Sequence, residues 1–201
     1  MSAILAARRL LALSLATVLA GCGHVPVSTM YKLWSFDVLS ADPSAIRAAV
    51  RYPESLMPQP GGAKLTVTIA GANGAAPDVR AFVLEETTQG SELTEVSVHN
   101  RAGYPIRVYH LSELDAVKVQ ALLKDMREAK QNSEKRSGSI GVSIDACRVK
   151  DLPNKAILTS TYLKLDTEGG YMTVLEDIDL RKEVTEAELE KTLPQCVTGR
   201  S

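Results

Sequence analysis

Aromatic side chains are scarce in this sequence: two phenylalanines, one tryptophan and six tyrosines among 201 residues. A core must therefore be built from Val, Ile, Leu and Ala, and the stacking platforms that hold bases are in short supply. An excess of one charge is missing too. Lys and Arg number 23 against 24 Asp and Glu, for a formal net charge of −1, so there is no basic field to collect phosphates and nucleic acid is set aside as a partner. Histidine is limited to His24, His99 and His110, and cysteine to Cys22, Cys147 and Cys196. No two cysteines are spaced for a CxxC redox pair or a zinc ligand set. There is no G-x-S-x-G elbow, phosphate-binding glycine loop, HExxH helix or EF-hand loop, and nothing asks for a cofactor or a metal. What is present is 45% hydrophobic and 23% charged, the balance of an ordinary folded domain, with one domain as the default for this length.

The first residues differ from the rest. "MSAILAARR" places Arg8 and Arg9 before any acid, and "LLALSLATVLA" then runs apolar from Leu10 to Ala20. A positive start, an apolar middle and small residues at the end make up a secretory leader. At 1.5 Å per residue the uncharged run from Leu10 to Cys22 covers about 20 Å, short of the roughly 30 Å of a bilayer core, so a permanent span is disfavoured. At the cleavage position stand Leu19, Ala20, Gly21 and Cys22. This box resembles that of bacterial lipoprotein signal peptides. The resemblance implies that the Cys22 thiol receives a diacylglyceryl group, that the chain is cut between Gly21 and Cys22, and that palmitate or a similar acyl chain is added to the new amino group. A thiolate is the nucleophile suited to that transfer. Each buried methylene contributes about 0.8 kcal/mol, so two or three chains anchor durably where one holds marginally. Gly23 follows the cysteine, and by the same resemblance the lack of Asp there favours the outer membrane, with the domain facing the periplasm. Losing residues 1–21 removes two arginines and no acid, leaving 21 bases against 24 acids, so attraction to anionic lipid adds nothing and the acyl chains are the anchor.

With Cys22 used for lipidation, Cys147 and Cys196 form an even pair in a compartment where disulfides persist, and a disulfide between them is the favoured reading. The alternative is two separate thiols, one at a strand end and one in the tail.

Residues 22–30 read as a lipidated tether and 31–201 as a single domain. "YKLWSFDVL" alternates as a strand, and "DPSAIRAAVRYP" reads as a short helix with Asp42 as N-cap and Pro43 at its first position. "YPESLMPQPGG" reads as a loop. "KLTVTIAG", "VRAFVLEE", "TEVSVHN" and "PIRVYHLS" read as strands between turn-rich segments. Ser112 caps the one long helix, with Leu114, Val117, Leu122, Met126 and Ala129 as its apolar side. "SIGVSIDACRV" alternates again, and "KAILTSTYLKLD" faces "YMTVLEDIDL" across "TEGG" as a hairpin. A short helix closes the chain, with Thr185 and Glu188 as a capping box. Strands grouped in runs predict an α+β fold: a mainly antiparallel sheet with one long and two short helices covering one side.

Candidate chemistry is sparse. His99 and His110 could form a metal pair with Glu113 only if adjacent strands brought them together. Asp177 and Asp179 share one side of a strand and could meet a cation or a basic partner, although a solvated face is the commoner role. The stretch "NRAGYPIRVYHLSEL" resembles one strand of the small lipoproteins of type VI secretion systems; some eighty residues precede it here, and the residues after Leu114 depart from that family's pattern. The chain therefore reads as a lipid-anchored envelope protein with a binding or assembly domain, its partners being the bilayer through acylated Cys22 and another envelope protein. The competing reading is an envelope hydrolase whose groups meet only in three dimensions, around His99 or His110 with a nearby serine.

Overall fold

A computed structural model of the chain describes residues 39, 41–70, 76–132 and 138–197. The lipobox with Cys22, the tether 22–30 and most of the strand expected at 31–39 lie outside these residues. Seven strands form one antiparallel sheet in the order β5-β2-β3-β4-β1-β6-β7. They are β1 (Arg47–Arg51), β2 (Leu56–Ile69), β3 (Asp78–Glu86), β4 (Ile106–Leu111), β5 (Gly138–Arg148), β6 (Leu158–Lys164) and β7 (Met172–Asp179). Four helices accompany them among the described residues: α1 (Gly90–Val96), α2 (Glu113–Gln131), α3 (Leu180–Glu183) and α4 (Glu186–Thr192). The class is α+β.

Several local expectations give way to tertiary packing. The segment after Asp42 is not a helix. Asp42 does cap, its Oδ1 accepting from the Ser44 N–H at 2.9 Å, but the turn ends as a 3-10 helix, Pro43–Ala45, and the chain becomes β1. β1 is central in the sheet, between β4 and β6, and both its faces are covered, Ala48 in the cluster under α2, Ala49 against Val96 and Val50 against Leu189 and Leu193, so all three are buried. A fully buried strand has no alternation, and its apolar run mimics a helix.

The proline-rich loop is in fact the start of β2. Pro58 pairs with Ala146, the register then slips, and pairing resumes at Ala63. That bulge accommodates the prolines, which cannot donate to a ladder. Gly61 has φ +69°, and a Cβ on Gly62 would stand 2.6 Å from the Asp145 carbonyl oxygen. Only glycine lets the two backbones approach so closely.

The strand expected at "TEVSVHN" is the helix α1 followed by a 3-10 turn, Ser97–His99. Its V-S-V spacing has the strand period, yet Val96 is fully buried while Val98 is 81% exposed. Val96 packs with Ala49, Val108 and Tyr162. The long helix α2 instead packs through Ala116, Val119, Leu122 and Leu123 onto Ala48, Leu65, Phe82, Tyr109, Leu111 and Leu163. Ala48 and Ala49, like Val108 and Tyr109, are strand neighbours and so point to opposite faces. Helices α1 and α2 therefore cover opposite faces of the sheet, and the helices are not confined to one side. Within α2, Ser112 accepts from the Asp115 N–H at 3.1 Å. Its buried side includes Leu122 and Ala129, but Leu114 and Val117 are each 68% exposed, because the side turned to the sheet is the one that carries Ala116, Val119 and Leu123.

On the α2 side the sheet curls, so that Val142 and Ile144 of edge strand β5 pack into the same cluster as Met172 and Val174 of edge strand β7. After β7 the chain folds back as α3 and α4. Thr185 and Glu188 form the capping box of α4. Leu189 and Leu193 pack with Val50, Tyr52, Leu56 and Ile157. Cys147, at the end of β5, is bonded to Cys196 with their Cα atoms 4.9 Å apart.

Candidate functional site

The curl leaves a seam. β5 is hydrogen-bonded to β2 and β6 to β1 and β7, and where β5 and β6 face each other their inner side chains leave a half-enclosed cavity of about 180 Å³. Val50 and Tyr52 line it from β1 and the residue beyond, Leu56 and Pro58 from β2, and Val142, Ile144 and Ala146 from β5. Thr159 and Thr161 of β6 stand across from β5, and Leu180 and Leu193 close the end nearest the C-terminal helices. The alternation of "SIGVSIDACRV" produces this wall, since every second residue of β5 faces inward.

The closing helices are held by several bonds. Arg148 N–H donates to the Pro194 carbonyl at 2.8 Å and Cys196 N–H to the Arg148 carbonyl at 2.9 Å, a short parallel bridge beside the Cys147–Cys196 disulfide. Asp179 accepts at Oδ1 from the Ile157 N–H at 3.0 Å and from the Arg181 N–H at 3.2 Å, capping α3. Arg181 reaches the Lys155 and Pro153 carbonyls and pairs with Glu186.

One lining residue leads to polar groups. The Tyr52 hydroxyl accepts from Arg107 Nε at 2.6 Å, and Arg107 pairs with Glu86. Burial, opposed by Arg107, raises the Tyr52 phenol above its usual range. Tyr109, two residues along β4 on the same face as Arg107, is 4% exposed, and its hydroxyl has no hydrogen-bond partner among the described residues. Burial drives its pKa up, helped by Tyr52 and Glu86.

On the outer face lies a second polar cluster. Arg51 is 7% exposed. Its guanidinium donates to Ser160 Oγ at 3.0 Å, to Asp177 Oδ1 at 2.9 Å and to the His99 carbonyl at 2.9 Å. Asp177 also pairs with Arg101 at 3.1 Å and holds the left-handed φ of 48°, uncommon for a residue other than glycine. The His99 ring stacks on Tyr162 with centroids 4.0 Å apart. Burial, then the Arg51 charge, lowers its pKa.

These positions settle the sequence candidates. His110 is opposite Arg47 in β4, while the Arg51 that bonds His99 is opposite Ile106. The two histidines thus lie by opposite ends of β1, at Arg47 and at Arg51, four residues apart. Among the described residues no group of three His, Cys, Asp or Glu side chains is placed to hold a metal ion. Asp177 is exposed, and it pairs with Arg51 and Arg101; Asp179 is half-buried and caps α3. Ser160, the serine of this cluster, is 1% exposed and accepts from both Arg51 and the Asp177 N–H, so its lone pairs are engaged. Neither the cavity nor Arg51 was legible as a site in the sequence. The signal that could have found the cavity is the pair Thr159 and Thr161 alternating on an otherwise apolar inner face. In comparison with known proteins, the chain matches no family model, no curated sequence and no solved structure.

Proposed function

We propose that this chain is a lipid-anchored protein of the bacterial cell envelope. Residues 1–21 are a leader, Cys22 carries the acyl chains, 22–30 are the tether, and 31–201 form one domain that faces the periplasm, from the outer membrane, and acts by binding. The observation that carries the binding reading is the half-enclosed apolar cavity between β5 and β6, closed by helices that a disulfide holds in place. Concave, mainly apolar pockets with a few polar groups are where small ligands and partner side chains are taken up. A disulfide suits an oxidising compartment, which is where the leader would deliver the chain.

The test is mass spectrometry of the native protein, paired with metabolic labelling by palmitate in cells making the wild type or Cys22→Ser. The wild type should begin at Cys22 with the mass of a diacylglyceryl group plus an amide-linked acyl chain, and should sediment with outer-membrane vesicles. Cys22→Ser should take up no label. A wild-type chain with a free thiol at Cys22, or with its leader attached, would overturn the anchor.

A further inference from the structure

We infer that residues 31–38 of this same chain, through Trp34 and Phe36, lie across the concave face between edge strands β5 and β7 and so roof the cavity. The inference goes beyond the binding reading and holds with or without lipid on Cys22.

The concave face is unevenly covered. At its centre Ala48, Leu65 and Phe82 are buried beneath α2. Toward the two ends of the sheet the inward apolar side chains are only half-buried: Ile140, Val142 and Ile144 on β5, Met172 and Val174 on β7. All five pack against one cluster, and β5 and β7 are the strands with a neighbour on one side only. Removing such apolar surface from water is favourable, and sheet edges are commonly protected by a covering segment.

The place where the described chain begins identifies the cover. Leu39 packs against this same cluster, and its carbonyl accepts from Arg127 of α2, so residue 38 is delivered to the concave face. At about 3.3 Å each, residues 31–38 reach roughly 26 Å, as long as β7 with its eight residues. Their composition fits the task. Trp34 is the one tryptophan of the chain and Phe36 one of its two phenylalanines; with Val38 they share one side of an extended segment, and Ser35 and Asp37 share the other. Leu39 stands in a 3-10 turn, so that alternation ends before it. A second copy or a free ligand must compete with a segment covalently joined at the site, whose effective concentration is on the order of millimolar.

Val142 and Ile144 belong both to the cluster and to the cavity wall. A segment laid over them supplies the side that the half-enclosed cavity lacks, and a ligand reaches the cavity only when the segment lifts.

The experiment reads Trp34 in the full chain in nanodiscs, with methyl-labelled Ile, Leu and Val. Trp34 emission should be blue-shifted from that of free tryptophan and resist iodide quenching, and the indole should show NOEs to the methyls of Val142, Ile144 or Val174. Phe36→Ser alters no described residue; it should shift the emission to the red and move those methyl signals, while the Val67 methyl of the main core stays in place. Val174→Asp should release Trp34 from the other side of the contact. Emission like that of free tryptophan, or absence of the NOEs, overturns the inference. So does a Phe36→Ser chain in which Trp34 and the three methyls are unchanged. NOEs that arise only between differently labelled copies would seat a second copy there, and indole contacts to the acyl protons of the nanodisc would put the segment in the bilayer; either result overturns it too. Cys22→Ser should keep every contact, so a thiol found bare in the native protein would sink the anchor and leave this result standing. Were Cys22→Ser to lose the contacts, the lipid and not the concave face would be placing the segment, and the inference fails.

Discussion

Reducing the Cys147–Cys196 bond perturbs the closing helices with the least other change. The cysteines are 49 residues apart, and the chain-entropy relation gives about 4 kcal/mol for a loop of that length. The native side adds to this loss, because Leu189 and Leu193 are buried only while α4 lies against Val50, Tyr52 and Leu56. For a domain of this size each kcal/mol is worth about 2–4 °C, so Tm should fall by roughly 8–16 °C. The assay is urea and thermal unfolding of the wild type with and without a thiol reductant, beside the double variant Cys147→Ala/Cys196→Ala. The reduced wild type and the double variant should agree, and reductant should leave the double variant unchanged. Hydrogen exchange locates the effect: the amides of Arg148 and Cys196, which bond across the bridge, should lose protection first. A loss below about 1 kcal/mol, with those two amides still protected, would mean that packing alone seats α4 and would refute the entropy argument.

Three further outcomes are expected. Asp177→Asn keeps a residue that tolerates the left-handed backbone but removes the charge facing Arg51, which should cost about 2 kcal/mol in urea unfolding; in Arg51→Met the same change should cost much less, as a double-mutant cycle would reveal. Gly62→Ala forces a Cβ to within 2.6 Å of the Asp145 carbonyl and should destabilise by roughly 1–3 kcal/mol while disturbing the amides of β2 and β5 around the bulge; Gly90→Ala, with nothing within 4 Å, serves as the control. The His99 pKa is lowered by burial and by Arg51, so below the ordinary histidine value near 6.5 the unfolded chain binds a proton that the folded chain resists. Stability should therefore fall as pH drops through that window, and His99→Phe should flatten the dependence while an imidazole titration by NMR places the folded value below the usual range.

Legibility in the sequence followed burial. Where one face of a strand meets solvent, as in β5 and the Thr66–Ile69 end of β2, alternation was visible and the strand could be placed. β1 is covered on both faces, so its run of Ala48, Ala49 and Val50 carried no period and passed for a helix. In "TEVSVHN" the spacing was that of a strand, but a hollow over Tyr162 needed one side chain, Val96, and the helix supplies it. The long helix and the capping box were readable because a cap is a local interaction, decided within four residues. Which side of α2 would be buried was not, since apolar residues stand on both sides of its first two turns and the sheet takes Ala116 and Val119 while Leu114 and Val117 stay exposed.

From the sequence alone come the reading of a leader with Cys22, the α+β class, the long helix, the β6–β7 hairpin and the capped final helix, all of which depend on residues close together along the chain. The sheet order, the seam between β5 and β6, the cavity beneath α3 and α4 and the Arg51 cluster were decided by tertiary structure. Each joins residues tens of positions apart, such as the 126 between Arg51 and Asp177. Local propensity cannot specify such pairs, because the free energy that selects them is the burial and charge neutralisation gained only once the sheet has curled.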